Sequence, residues 1–95
     1  MMVRSKKLLR AANGAPCMRC SRLHPSVSAR HANWYEYGKG TGLKAHDCFV
    51  AYLCDACNAV IDRASYVWMA EDRKEMWIMA HARTVLYWFQ QGIVK

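Results

Sequence analysis

The sequence has few of the features that would place the protein in a membrane, outside the cell or in the disordered class. No apolar run approaches the length of about 20 residues that a membrane-spanning helix needs. The N-terminal stretch MMVRSKKLLRAANGAP is basic but contains no apolar core of signal-peptide length. We therefore expect a cytoplasmic protein, in a compartment where disulfides are rare. The 54% hydrophobic share, without repeats or low-complexity segments, excludes a disordered chain.

Acidic residues are also scarce. Seven Asp and Glu residues stand against 14 Lys and Arg residues, which gives a formal net charge of +7. A small basic domain attracts polyanions, and nucleic acid first among them. We expect a single domain over residues 1–95, and a domain this short often needs a metal or disulfides for stability.

The five cysteines are therefore candidates for metal binding rather than for disulfides. Four of them form two C-x-x-C pairs separated by 33 residues: Cys17, Cys20, Cys54 and Cys57. Two such pairs supply the four thiolates of a structural zinc site, which has no open position for catalysis. An iron–sulfur centre uses similar ligands and stays open as an alternative, whereas a thioredoxin-like redox pair needs a larger α/β frame. Cys48 lies in an apolar run and is expected to be a small buried side chain.

Four segments organise the first half of the chain. Residues 1–15 form a basic arm, which is either a frayed solvated tail or a phosphate-contacting segment. Val27–Trp34 alternates loosely and predicts a strand, and the apolar run Cys48–Leu53 predicts a second. Between them, Tyr35–Asp47 contains three alternating glycines and predicts a loop.

Two helices are expected in the second half. One begins at about Asp55, where a negative charge complements a helix N-terminus. The other covers residues 66–91 and stops at Gly92. One face of this long helix carries apolar residues at helical spacing: Ile78, Ala82, Val85, Leu86 and Phe89. A second stripe contains Trp77, His81, Thr84 and Trp88, and either packs on the core or forms a homodimer contact.

A second group of residues is a candidate for catalysis. His31 lies near the end of the first predicted strand, and Asn58 and Asp62 share a face of the helix after the second cysteine pair. A zinc ion that joins the two pairs would bring this helix close to His31. These side chains suit a hard cation such as Mg²⁺ or Mn²⁺, and a neutral histidine suits a general base in phosphodiester hydrolysis. The structural alternative is a hydrogen-bonded histidine and an asparagine that caps a turn.

The order of these features resembles that of the HNH (ββα-metal, His-Me finger) endonucleases. VSARH at Val27–His31, GTGLKAHD at Gly40–Asp47 and AYLCDACNAVIDR at Ala51–Arg63 are similar to the YbcO-like nuclease family of prophages. With the terminal HARTVLYWFQQGIVK, the resemblance covers nearly the whole chain beyond the arm. It implies a small α+β, zinc-stapled ββα-metal domain with a long C-terminal helix. It also implies a metal-dependent DNA endonuclease of phage or prophage origin, with His31 as general base.

Two positions depart from the family pattern. The residue after the last cysteine is usually histidine, whereas here it is Asn58. In having asparagine at this position, the chain resembles phage endonuclease VII, a junction resolvase. By that resemblance Asn58 is a ligand of the catalytic metal, and Asp62 matches the aspartate of the C-x-x-C-H-x-x-x-D segment. Many HNH enzymes have an acid directly before the catalytic histidine, where this chain has Arg30. Asp62 or Asp47 would then supply the charge, and an inactive zinc module that binds nucleic acid or protein is the alternative.

Basic residues around the proposed site predict contacts with the DNA backbone, with ordinary solvated surface as the alternative. They are Arg19, Arg22, Arg30, Lys39 and Lys44. Arg30 would be free to hold a phosphate if its side chain faced away from His31. The expected partner is DNA, including branched or recombination intermediates, for which a homodimer with two sites would be suited.

Overall fold

The computed structural model describes residues 2–63 and 67–94 of the chain. Its elements are α1 (Lys6–Arg10), β1 (Ser28–His31), β2 (Val50–Leu53), α2 (Asp55–Asp62) and α3 (Ala70–Gln90). The two strands pair in an antiparallel sheet, with Ser28 opposite Leu53 and His31 opposite Val50. The result is a small α+β arrangement with a two-stranded sheet and a long C-terminal helix, in the order that the sequence predicts. In the described ranges, no helix combines the length and the apolar character that crossing a membrane requires.

Both strands are shorter than the sequence indicates. Val27–Trp34 contracts to the four residues of β1, and Cys48–Leu53 contracts to β2. The second strand starts late because the backbone N–H of Phe49 donates to the His46 carbonyl at 2.9 Å, a turn that precedes Val50. The sheet therefore ends close to His31, with the long glycine loop directly beyond it.

The predicted loop contains a 3-10 helix at Tyr35–Tyr37, followed by Gly38. Gly38 has a φ of 92°, a left-handed conformation that disfavours side chains. A Cβ there would also lie 2.6 Å from the His46 ring. The close approach of His46 to this backbone explains why glycine is needed at this position.

The core lies between β2 and α3. All four residues of β2 are buried. Thr84 in the middle of α3 accepts a hydrogen bond from the Tyr52 backbone N–H at 3.0 Å and donates to the Ala80 carbonyl at 2.8 Å. The indole N–H of Trp88 donates to the Tyr52 hydroxyl at 2.8 Å. Because these buried polar groups are paired, the interface fixes which face of α3 meets the sheet.

The stripe of α3 that meets the core is the one with the tryptophans. Trp77 and Trp88 are only 2% and 4% exposed, so they do not form the homodimer contact considered above. The other apolar face is turned to solvent, with Ile78, Leu86 and Phe89 at 41%, 56% and 55% exposure. Periodicity alone cannot choose between two apolar faces, and the contacts with Tyr52 make the choice.

The long helix begins four residues later than predicted. Met69 has an extended conformation, and its backbone N–H donates to the Asp72 carboxylate at 3.2 Å, so the helix starts at Ala70. Tyr66, the predicted start, lies outside the described residues. At the other end Gly92 adopts a φ of 70°, in agreement with a helix that ends there.

The N-terminal arm is folded over its described residues, so the first of the two alternatives, a frayed solvated tail, does not apply to them. The Ser5 hydroxyl accepts a hydrogen bond from the Leu8 backbone N–H at 3.2 Å and caps α1. Ala12 and Ala15 are each 1% exposed. The Tyr52 hydroxyl donates to the Leu8 carbonyl, which attaches α1 to the core.

Candidate metal centre and catalytic cleft

Four cysteine thiols converge at the two C-x-x-C turns. The Sγ atoms of Cys17, Cys20, Cys54 and Cys57 all lie within 4.8 Å of one another, and all are free thiols. A tetrahedral zinc with bonds of about 2.3 Å separates its sulfurs by about 3.8 Å, and the Sγ atoms of Cys20 and Cys54 are 3.9 Å apart. The donor set and its spacing can hold a metal ion such as zinc. Cys48 stays outside the cluster and is partly exposed rather than buried, because it lies in the turn before β2.

The surroundings of the cysteines affect their protonation. The backbone N–H of Arg22 lowers the pKa of the Cys20 thiol to about 6, and burial raises the pKa of the Cys57 thiol to about 12. The Arg19 guanidinium donates to Cys57 Sγ, and the Arg19 backbone N–H donates to Cys17 Sγ, both at 3.5 Å. Because a cation beside the sulfurs favours thiolates, Arg19 supports the metal centre rather than lining the cleft described below.

Helix α2 joins the metal centre to that cleft. Cys54 precedes the first turn of α2 and Cys57 lies within it, so two of the four candidate metal ligands lie at the start of this helix. The next residue, Asn58, donates its backbone N–H to the Cys54 carbonyl at 2.9 Å. The side chains of Asn58 and Asp62 then line the cleft together with His31 from β1.

The cleft consists of two adjoining cavities of about 120 and 370 Å³. Both are lined by His31, Asn33, Asn58 and Asp62. No described residue bonds to the Asn58 amide or the Asp62 carboxylate. The three residues singled out from the sequence therefore share one cleft, and two of them have oxygen atoms available to a ligand.

The imidazole ring of His31 is hydrogen-bonded to the carboxylate of Asp47. The ring Nε2 lies 2.7 Å from Oδ1 of Asp47, whose residue is 4% exposed. Burial alone would raise the pKa of Asp47, but hydrogen bonds from His31 and the Ser5 backbone, with the nearby charges, lower it overall. Because an ionised carboxylate only accepts hydrogen bonds, Nε2 carries the hydrogen, and Nδ1 of the neutral ring keeps its lone pair. Asp47 is thus the hydrogen-bond partner of His31.

Arg30, the residue before His31, is already paired. Its guanidinium forms an ion pair with Asp55 at the start of α2 and donates to the Ser26 carbonyl at 3.2 Å. The hypothesis of a free Arg30 that holds a phosphate is therefore not met, although the side chain does line the larger cavity. Pairing with Asp55 also reduces the repulsion that an unpaired Arg30 would exert on a cation near His31.

The remaining basic residues fall into two groups. Lys39 and Lys44 line the larger cavity of the cleft. Arg22 lines a different cavity beside Cys54, away from His31.

Sequence reasoning missed a cation on α3. Arg73 lines the smaller cavity and donates to the Ile61 carbonyl at 3.2 Å, while its buried Nε has no hydrogen-bond partner among the described residues. No sequence spacing relates Arg73 to His31. The packing of α3 against α2 brings it to the cleft.

Comparison with known proteins finds a partial similarity to two nucleases. The chain is 36% identical over 56 residues to "Putative nuclease YbcO" of Escherichia coli (strain K12), and the same values hold for the protein of that name from Enterobacteria phage 82. The match covers 59% of this chain and 58% of each relative, so it spans little more than half the length of these curated proteins. No protein-family model and no solved structure matches the chain.

Proposed function

We propose that the protein is a metal-dependent DNA endonuclease of the HNH type, of phage or prophage origin. The observation that carries this proposal is the cleft in which His31 lies with Asn58 and Asp62 while its Nε2 is bonded to a buried carboxylate. The partial similarity to nucleases and the net charge of +7 support nucleic acid as the substrate. Branched recombination intermediates are the DNA structures that we would test first.

His31 is the general base in this proposal. With Nε2 donating to Asp47, the lone pair on Nδ1 takes a proton from the attacking water. The water oxygen forms a bond to phosphorus, and the bond between phosphorus and the leaving sugar oxygen breaks. Asp47 orients the ring and stabilises the positive charge that the ring acquires.

Asn58 and Asp62 hold the divalent cation, Mg²⁺ or Mn²⁺. Their side-chain oxygens project from one helix face, four residues apart, and are of the type that hard cations prefer. A cation bound there supplies stabilisation of negative charge on the phosphate and on the leaving oxygen. In the described part of the chain, Asp62 is the one acidic side chain that lines the cleft.

Three cations of the cleft wall bind the DNA backbone. Lys39 and Lys44 line the larger cavity from the glycine loop, and Arg73 lines the smaller one from α3. Phosphate contacts of this kind hold the substrate in position without reading its sequence. The other basic residues contribute only to the general positive charge. Arg19 bonds to the thiols, Arg22 lines another cavity, and Arg30 pairs with Asp55.

A cleavage assay with matched histidine variants tests the proposal. Supercoiled, branched and single-stranded DNA are incubated with zinc-loaded protein and Mg²⁺, Mn²⁺ or neither. We expect metal-dependent cleavage that falls about 10²- to 10⁴-fold in His31→Ala, because the general base is lost. His24→Ala is the control, since His24 is exposed, bonds to Ser26 and does not line the cleft. Both variants should keep their zinc and unfold cooperatively, which shows that the fold is retained.

Two results would contradict the catalytic proposal. One is full activity in His31→Ala, and the other is no cleavage by the wild type with any metal. The second candidate function, a zinc module that binds nucleic acid or protein without cutting, predicts the latter result. It is supported by the metal centre, which is closed to chemistry, and by the positive charge.

A further inference from the structure

The first described residues bind the loop that carries Asp47. Residues 3–5, which we call the N-terminal clamp, lie beside loop residues 45–47. The backbone N–H of Asp47 donates to the Val3 carbonyl at 2.9 Å. The backbone N–H of Val3 donates in turn to Nδ1 of His46 at 2.9 Å. The clamp therefore pairs with the loop through its backbone, and not only through side chains.

The clamp also supplies two of the three donors to the Asp47 carboxylate. Oδ2 accepts a hydrogen bond from the Ser5 backbone N–H at 2.7 Å. Oδ1 accepts from Arg4 Nη1 at 3.2 Å and from His31 Nε2 at 2.7 Å. Because Arg4 and His31 share one oxygen, the position of the carboxylate is set jointly by the clamp and by the histidine.

Arg4 joins the carboxylate to the backbone of its own loop. It donates to the Ala45 carbonyl at 2.6 Å and to the Lys44 carbonyl at 3.0 Å. A planar guanidinium can make these bonds and the bond to the carboxylate at once. The clamp is itself anchored, because α1, which follows it, is attached to the core at Leu8.

We propose that the N-terminal clamp is a positioning element of the cleft. It presents the Asp47 carboxylate to Nε2 of His31, and so fixes the tautomer and the orientation of the ring. The catalytic consequence rests on the proposed function, whereas the positioning of His31 does not. Without Arg4 and Ser5 in place, the carboxylate lies on a loop with one donor left. A histidine that loses its acceptor at Nε2 populates both neutral tautomers, and only one of them has a free lone pair at Nδ1.

A direct DNA contact is the rival role for the clamp, since the Arg4 side chain is 42% exposed. A phosphate contact would need only the charge, so Arg4→Lys would preserve it. Positioning of Asp47 needs the planar guanidinium group, because one ammonium cannot bridge a carboxylate and two carbonyls in the same geometry. Lys7 provides the matched control: it is an exposed cation on α1 with no side-chain bond to the loop.

The first experiment reads the His31 tautomer by NMR. Long-range ¹⁵N–¹H spectra of the imidazole rings are recorded on the full, zinc-loaded chain at a pH where the ring is neutral. We expect the Nε2–H tautomer in the wild type and in Lys7→Ala, and a mixture of tautomers in Arg4→Ala and Asp47→Asn. A wild-type tautomer that persists in Arg4→Ala would overturn the inference, whether or not the protein cuts DNA.

The second experiment separates kcat from KM. We expect Arg4→Ala, Arg4→Lys and Asp47→Asn to lower kcat about 10- to 100-fold, as losses of supporting contacts do. Lys7→Ala should keep the wild-type kcat, because its side chain has no bond to the loop among the described residues. If Arg4→Ala changes only KM, and Arg4→Lys restores it, the clamp is a DNA contact and the inference is wrong.

Zinc content and unfolding temperature, measured on every variant, show that the fold is retained. If the wild type cuts no DNA, the proposed function fails, and the NMR comparison still decides whether the clamp positions His31.

Discussion

The two ends of α2 meet opposite requirements although they belong to one short helix. At its start, four mutually close and mostly buried thiols form a candidate metal centre that would be closed to other ligands. Farther along, Asn58 and Asp62 line an open cleft and have no partner among the described residues. A closed four-thiolate site contributes folding energy but offers no position for water, whereas the open cleft has unused ligand oxygens. Stability and proposed reactivity are therefore located on separate parts of one element.

Removal of the metal should have the largest effect on stability and should disrupt both ends of α2. A structural zinc contributes on the order of 10 kcal/mol, which is comparable to the whole stability of a typical domain. We expect Cys57→Ala, or a strong chelator, to abolish cooperative unfolding in circular dichroism. Cys48→Ser is the control, because Cys48 lies outside the cluster. A fold that survives chelation would show that the metal centre is not what holds α2 in place.

Changes at the other end of α2 should leave the metal centre intact. We expect Asp62→Asn to weaken Mn²⁺ binding and to lower cleavage about 10- to 100-fold. Its unfolding free energy should stay within about 0.5 kcal/mol of the wild type, because Asp62 is exposed and has no bonding partner among the described residues. Calorimetric Mn²⁺ titration of zinc-loaded protein measures the first effect. Glu75→Gln, an exposed acid on α3, is the control, and loss of zinc in Asp62→Asn would contradict the separation of the two ends.

The cations of the glycine loop should have the smallest effect. The double variant Lys39→Ala/Lys44→Ala is expected to reduce the slope of log affinity against log salt by about 1 for each lost phosphate contact. Its kcat should not change, because neither side chain takes part in proton transfer. Filter binding at several salt concentrations provides the measurement. Arg22→Ala, in a different cavity, should keep the wild-type slope. If Arg22→Ala and the double lysine variant reduced this slope equally for each charge removed, the total charge rather than the position of each cation would govern binding.

The sequence predicted the order of the elements better than their limits. The start of α2 at Asp55 was predicted correctly, because an acid directly after a cysteine turn is a local signal. The limits of β1 and β2 were wrong, since a turn at Phe49 and His46 ends the pairing. The buried face of α3 was ambiguous, because both of its stripes are apolar and only contact with Tyr52 selects one.

The candidate site was predicted in part. His31, Asn58 and Asp62 were identified, and the structure places them in one cleft; their roles stay a proposal. Asp47 was considered only as a source of charge, although the hairpin gave a usable signal. Since antiparallel pairing would bring the start of the second predicted strand opposite the end of the first, a residue just before that strand lies near His31. Arg73 had no such signal.

By itself, the sequence determined the metal-ligand set and the face of α2 that carries Asn58 and Asp62. Each C-x-x-C pair and the i, i+4 spacing of Asn58 and Asp62 span only a few residues, so both patterns can be read from the sequence. Only the tertiary structure decided that Asp47 holds His31 and that the N-terminal clamp holds Asp47. It also decided that Asp55 neutralises Arg30. These pairings join residues far apart in the chain, and their partners depend on how the hairpin, α1 and α2 pack together.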